Sequence, residues 1–216
     1  MSTAAGAGIF ITLEGIEGAG KSTVAKSLQA EAERCGAAVL LTREPGGTPM
    51  AESLRELLLR RGDEVLNPNA ETLLMFAARA IHLENAIRPA LAAGRWVICD
   101  RYTDASYAYQ GGGRAVSTAL IDQLAAAVHT NLWPDRTLLL DLPVGTGLER
   151  ARSRPGEADR FESEQRAFFE RVRVAYLQRA ALEPQRMRVI DGQRSAPEVV
   201  AAALAAIADL LPALPQ

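Results

Sequence analysis

The chain has 216 residues but only two cysteines, two histidines and two lysines, and aromatic residues make up 5% of it. Two cysteines cannot staple a chain of this length, so a disulfide scaffold is excluded. Cys99 lies in the apolar run WVIC and is expected to be a buried free thiol, which fits a reducing, cytoplasmic setting. No apolar run reaches the roughly 18 residues of a membrane span. Residues 1–8, MSTAAGAG, have no charged start and no apolar stretch. They are expected to be a flexible tail rather than a signal peptide. The net charge of -2 leaves no general surface for nucleic acid. The lysine shortage is compositional, since the 24 basic residues include 22 arginines.

What is present is a hydrophobic fraction of 48%, enough for one sizeable core, so residues 9–216 are expected to form one domain. Five short apolar runs predict strands at Ile9–Leu13, Val39–Leu41, Trp96–Cys99, Thr137–Leu140 and Met187–Ile190. Their consecutive apolar positions suit strands covered on both faces. Helical patterns lie between and after them, at Lys21–Arg34, Glu52–Leu59, Glu71–Ala93, Ser117–Val128, Val144–Arg152, Ser163–Leu182 and Pro197–Leu211. The alternation predicts an α/β fold: a five-stranded parallel sheet flanked by helices. Polar residues follow the strands closely: Glu14, Thr42, Arg43, Asp100, Asp141 and Asp191. In a parallel sheet these share the edge where such folds bind ligands.

One of the two lysines follows a run of small residues. GIEGAGKS, Gly15 to Ser22, matches G-x-x-x-x-G-K-[ST] between a predicted strand and a predicted helix. Backbone N–H groups of Gly15, Ile16, Glu17, Gly18, Ala19 and Gly20 would close around phosphates. Lys21 would reach the β- and γ-phosphates, with Ser22 toward Mg²⁺ and Thr23 beside it. No Asn-Lys-x-Asp guanine motif is present, which argues against a GTPase. In VICDRY, Arg101 follows the metal-side Asp100. An arginine there suggests a second phosphate, hence a kinase with a phosphorylated acceptor.

EGIEGAGKST, TREPGGTP, DRYTDASYAYQGGGR and ERARSRPGEADRFE together resemble the bacterial thymidylate kinases, in order from Ile9 to Asp191. The resemblance implies a P-loop kinase fold with a mobile lid, about 150–160, usually in a homodimer. It implies transfer of the γ-phosphoryl group of ATP to dTMP, with Mg²⁺, and no nucleic-acid or membrane partner. Glu17 then lies near the acceptor phosphate and Mg²⁺. Arg43, Glu44 and Pro45 run along the dTMP sugar and phosphate, and Arg55 reaches the phosphate. Arg79 donates to thymine O4. Relatives place an aromatic four residues before that arginine, where this chain has Met75; either Met75 or Phe76 meets the base. Asp100 faces the metal, and Arg101 bridges the acceptor and transferred phosphates. Ser106, Tyr109 and Gln110 surround the thymine and sugar, with Tyr109 crowding a 2′-OH. His82, Tyr102 and Tyr107 are expected to be structural.

Arg150, Arg152, Arg154 and Arg160 fall within 11 residues and suggest a basic lid. Pro155 looks like one residue more than relatives carry there. It biases Ser153 and Arg154 toward extended backbone, placing the helix end near Arg152 and Arg154 at the lid tip as an arginine finger. Arg150 would lie against adenine, which the loop Asp191–Ser195, with Gln193, borders. The competing readings are another nucleoside monophosphate or deoxynucleoside kinase of the same fold, and a nucleotide-gated switch without turnover.

Overall fold

Strand β1, Phe10–Glu14, is buried at all five positions because it occupies the middle of a sheet covered on both faces. A computed structural model describes residues 8–60, 65–130, 132–153, 160–161 and 164–211. With β2 (Val39–Arg43), β3 (Trp96–Asp100), β4 (Arg136–Asp141) and β5 (Met187–Asp191), β1 forms a five-stranded sheet in the order β2-β3-β1-β4-β5. Every pairing is parallel. The strands and their direction agree with the sequence expectation, and all five run one or two residues further than the apolar runs. The extensions end on Glu14, Arg43, Asp100, Asp141 and Asp191, because ladder pairing continues into the polar residues.

The pleat divides the core. Ile11, Leu13 and Ile98 join the larger cluster on one face, with Leu138, Phe168 and Tyr176. Phe10, Val97 and Cys99 point the other way, toward Leu83, Ile87 and Tyr102. Helix α1 (Lys21–Arg34) follows β1, and α2 (Pro49–Leu59) follows β2. Helix α3 (Pro68–His82) starts three residues before Glu71, because Asn67 Oδ1 caps the N–H of Ala70 at 2.9 Å and Pro68 occupies the first turn.

The single helix expected over Glu71–Ala93 is a composite. After α3 the backbone widens into a π-helical stretch, Leu83–Ile87, before α4 (Arg88–Ala92). The cause is Pro89, which donates no N–H and crowds the carbonyl four residues back. The N–H of Arg88 accordingly reaches the carbonyl of Leu83, five residues back. A second widened segment, Tyr107–Gly113, follows the short α5 (Thr103–Ser106). Its three glycines conceal it from helix periodicity. Two of them are needed because α8 (Arg166–Leu182) passes close by: a Cβ on Gly113 would lie 2.4 Å from the Phe168 ring, and one on Gly112 would lie 2.5 Å from Ala175 Cβ. Between them in the chain are α6 (Thr118–His129) and α7 (Val144–Arg152), the latter ending at Arg152 as expected. The last helix, α9 (Ala196–Ala205), begins with a Ser195–Glu198 capping box. Residues 1–7 of the expected tail, and lid residues 154–159 with Arg154 and Pro155, lie outside the described residues.

The close approach at Gly113 is testable. Gly113→Ala should lose about 1–3 kcal/mol from overpacking against Phe168 and Val172. Gly145→Ala in α7 meets nothing within 4 Å and should gain about 0.5–1 kcal/mol from helix propensity. Urea unfolding of both variants checks the pair. Equal stabilities would mean that α8 does not press on the glycine segment.

Candidate active site

The strand ends meet two clefts. The first lies over the loop between β1 and α1. Gly15, Gly18 and Gly20 all take positive φ, a conformation that side chains with a Cβ rarely adopt. A Cβ on Gly18 would also strike the Gly147 carbonyl at 2.0 Å. Gly20 caps α1 without a side chain, which leaves the helix N-terminus to an anion. Lys21 folds back over the loop, its Nζ donating to the carbonyls of Gly15 (3.0 Å) and Ile16 (3.1 Å). Burial, and next the positive charge of Arg101, pull its pKa down to about 8. Phosphate at this point would restore the full charge. The cleft continues past Thr23 to Arg150 and Gln193. Arg150 donates to the Gly192 carbonyl at 2.9 Å, tying α7 to the loop after β5.

The second cleft, about 570 Å³ of open space, lies on the other side of Glu17. Ten of the twelve expected acceptor residues line it: Glu17, Glu44, Pro45, Arg55, Met75, Arg79, Arg101, Ser106, Tyr109 and Gln110. Glu17, Arg101 and Tyr109 form a triangle at its inner end. Arg101 donates to Glu17 Oε1 at 2.8 Å and lies 3.0 Å from the Tyr109 hydroxyl, which donates to Glu17 Oε2 at 2.7 Å. Arg101 holds this place from a left-handed backbone, φ 70°, an unfavourable state for a side chain of its size. At the outer end Arg79 is buried. It donates from Nε to Glu44 at 2.6 Å, from Nη1 to Ser106 at 3.1 Å and from Nη2 to the Tyr102 carbonyl at 3.0 Å.

The structure chooses between Met75 and Phe76 and corrects two further expectations, for Arg43 and Arg160. Phe76 does not line the cleft. It is 1% exposed, packs with Tyr107, Val116 and Ile121, and supports Arg79 from below at 4.6 Å. Met75 is the one of the pair that faces the cleft. Arg43 also stays outside it, exposed and paired with Glu52 at 2.9 Å. Helix α2 begins at Pro49, so Glu52 falls in its first turn and captures the arginine. Arg160 differs from the lid expectation too. It donates to Glu71 at 2.7 Å and to the Leu58 carbonyl at 2.9 Å, on the acceptor side.

Leu59, Tyr102, Ala105 and Phe161 line the cleft without having been expected there. Only Phe161 carried a signal, as an aromatic directly after the basic run. Asp100 Oδ1 is buried and lacks a hydrogen-bond partner among the described residues. Ser22 is exposed at the start of α1. A carboxylate and a hydroxyl oxygen are the hard donors Mg²⁺ takes, so the residues fit that ion. Glu14 is a further buried carboxyl at this edge. It accepts from the Tyr102 N–H at 2.8 Å and the Tyr176 hydroxyl at 2.7 Å. Burial first, and the charge of Asp104 second, push its pKa up to about 8.

A family model described as thymidylate kinase matches residues 13–203. The chain is 57% identical over 194 residues to a thymidylate kinase of Pseudomonas savastanoi pv. phaseolicola, covering 90% of this chain and 92% of that protein. It is 56% identical over 206 residues to one of Ectopseudomonas mendocina, covering 95% and 98%. A crystal structure of thymidylate kinase from Ehrlichia chaffeensis superposes with a TM-score of 0.74 at 34% identity, over 94% of this chain and 99% of that one.

The buried carboxyl gives a pH test. Native Glu14 holds its proton up to about pH 8, whereas the unfolded chain releases it near 4.5. The native state therefore binds more protons in that window, and stability falls as pH rises through it, by at most about 1.4 kcal/mol per pH unit. Glu14→Gln should flatten this slope, whatever constant offset its altered hydrogen bonds bring. Denaturant midpoints at pH 5.5, 6.5 and 7.5 measure it. Parallel profiles for parent and variant would exclude a native Glu14 that keeps its proton.

Proposed function

The chain belongs to the thymidylate kinase family, and we propose that it transfers the γ-phosphoryl group of ATP to dTMP, giving dTDP and ADP. The observation that carries the reading is that two clefts flank the β1–α1 loop, one running from Gly18 to Gln193 and suited to a triphosphate, the other beginning at the adjacent Glu17 and lined by Arg55, Arg79 and Arg101. A phosphate acceptor is already ionised at neutral pH and needs cations rather than a general base. Arg55, held by the Pro45 carbonyl at 2.9 Å, and Arg101 supply them. A nucleoside acceptor would instead need a base at its 5′-OH.

ATP lies along the β1–α1 loop, its adenine between Arg150 and the loop carrying Gln193. An oxygen of dTMP attacks the γ-phosphorus in line, the bond to the β-phosphate oxygen breaks, and ADP leaves. Lys21 offsets charge on the β- and γ-phosphates, and Arg101 draws acceptor and transferred phosphates together. Mg²⁺, held by Ser22 and Asp100, supplies further charge neutralisation when bound. Met75 lies against the thymine face, Arg79 donates to O4, Ser106 and Gln110 border base and sugar, and Tyr109 crowds a 2′-OH. Arg154 closes from the lid on the phosphoryl in flight. The protein works as a single domain, in a homodimer and in the cytoplasm. Two free cysteines support a reducing setting, and no helix among the described residues is long and apolar enough to cross a membrane.

With ATP, Mg²⁺ and dTMP, the purified protein should release dTDP over many turnovers, followed by chromatography of the nucleotides. Lys21→Ala should lower kcat/KM by roughly two to four orders of magnitude while its circular dichroism stays that of the parent. A fully active Lys21→Ala protein would sink the assignment.

The lid assignment separates by kinetics. At saturating ATP and dTMP, Arg154→Ala should lose roughly 10³-fold or more in kcat. Arg150→Ala, at the adenine loop, should mainly raise KM for ATP. If Arg152→Ala takes the kcat loss and Arg154→Ala does not, the finger is the helix-end residue.

A further inference from the structure

Glu44, His82 and Cys99 bring a carboxylate oxygen, a ring nitrogen and a sulfur within 4.8 Å of one another, all buried. Such a set holds zinc in other proteins. Here a cation already occupies the carboxylate, since Arg79 Nε donates to Glu44 Oε2 at 2.6 Å. The Cys99 thiol donates to the Arg101 carbonyl at 3.0 Å, and both ring nitrogens of His82 are engaged. His82 Nδ1 lies 3.1 Å from Glu44 Oε1, and Nε2 lies 2.7 Å from Thr42 Oγ1.

A carboxylate only accepts, so His82 Nδ1 carries the proton between the two. With a neutral ring, Nε2 accepts from the Thr42 hydroxyl. The bonds then converge on Glu44: Thr42 donates to His82, His82 and Arg79 both donate to Glu44, and Arg79 also donates to Ser106. The series crosses from Thr42 near the end of β2 to Ser106 at the end of α5. His82 is 0% exposed and Glu44 3%, so neither has water as a substitute partner. The loop after β2 seals the ring from above, where a Cβ on Gly47 would stand 2.4 Å from His82 Nε2. Three of the five N–H groups of Arg79 have partners among the described residues, which leaves two for a ligand.

We propose that His82 is a positioning residue for base selection, holding Glu44 so that the two remaining N–H groups of Arg79 face a pyrimidine oxygen. The proposal rests on the reading of Arg79 as the residue that meets thymine O4. Without His82, Glu44 Oε1 loses its buried donor and the carboxylate turns, taking the guanidinium with it. Base affinity and selectivity suffer, while the donor cleft, on the other side of Glu17, is untouched.

The test compares kcat/KM for dTMP and dCMP, with KM for ATP, in the parent, His82→Leu, His82→Asn and Arg79→Lys. Cytosine presents an amino donor where thymine has O4, so the ratio reports how Arg79 is aimed. His82→Leu should raise KM for dTMP and lower the dTMP-to-dCMP ratio, each about tenfold, with kcat and KM for ATP within twofold of the parent. His82→Asn places an amide donor where Nδ1 was and should recover most of both. Arg79→Lys should lose the ratio whatever His82 does. If Arg79→Lys loses it and His82→Leu keeps it, the relay is overturned and the base-reading arginine stands. If Arg79→Lys keeps the ratio, the base-reading role falls and the relay with it. A loss in His82→Leu that His82→Asn does not recover overturns the relay in favour of packing. Should His82→Leu not fold, His82→Gln replaces it. Its amide sits one bond further out, toward Thr42, so it should lose the ratio that His82→Asn keeps, and equal ratios in the two would overturn the relay.

Discussion

Five strands running the same way deliver their last residues to one edge, and those residues are Glu14, Arg43, Asp100, Asp141 and Asp191. Charge gathered at the end of a covered sheet must find partners or give up ionisation, because desolvation costs several kcal/mol per ion. The protein resolves each case differently. Glu14, in the middle of the sheet, keeps its proton and serves as a neutral joint between β1, the turn after β3 and α8. Asp141 takes a two-point bond from Arg173 on α8. Arg43 turns outward to Glu52. Asp100 alone of the five keeps a buried oxygen without a partner among the described residues, and it stands beside Lys21. The vacant valence of the edge is thus concentrated where the phosphates would lie.

The same accounting explains the triangle of Glu17, Arg101 and Tyr109. The three groups bond one another at 2.7 to 3.0 Å, so the cleft needs no ligand to hold its shape, although the buried Arg101 Nε lacks a partner among the described residues. In the proposed reaction a dianionic phosphate would compete with Glu17 for Arg101 and find the positive charge already aimed. Preorganised charge of this kind stabilises a transition state without reorganisation during the reaction. Its cost is visible in the left-handed backbone of Arg101, and the bond from its N–H to the Leu13 carbonyl at 2.9 Å helps keep that residue in place.

Strand positions, the parallel sheet and the phosphate loop were legible in the sequence because each rests on a local pattern: an apolar run, a polar terminus, a spacing of small residues. Sequence spacing also placed Met75 and Arg79 on one helical stripe, but it left Phe76 as a rival. Residues 75 and 76 differ by about 100° around the axis, and only the roll of α3 against α6 decides which one faces the cleft. Packing with Val116 and Ile121 takes Phe76. Arg43 and Arg160 were misplaced for a related reason. A charged side chain reaches several partners, and Glu52 and Glu71 became available only through tertiary contact. The π-helical stretches were hidden because Pro89 and Gly111–Gly113 read as breaks, whereas the backbone widens and continues.

Helix α3 gathers these constraints onto one face. Glu71, Met75 and Arg79 follow at intervals of four, and His82 three residues later. Glu71 is fully buried and accepts from Gln110 at 2.9 Å, from Arg114 at 3.2 Å and from Arg160 at 2.7 Å. Its three donors come from the glycine segment (Gln110), from Arg114 directly after it, and from Arg160 at the end of the basic run. The stripe therefore begins with a carboxylate that pins the helix to the far wall of the cleft. It continues with an apolar side chain at the cleft surface and ends with a guanidinium locked through Glu44 to the end of β2. A rigid helix fixed by ion pairs at both ends cannot roll, and roll is the one motion that would exchange Met75 for Phe76. On the proposed reading of Met75 and Arg79, the two buried carboxylates would act on specificity without touching a base: Glu71 sets the rotation of the helix and Glu44 the angle of the arginine it carries.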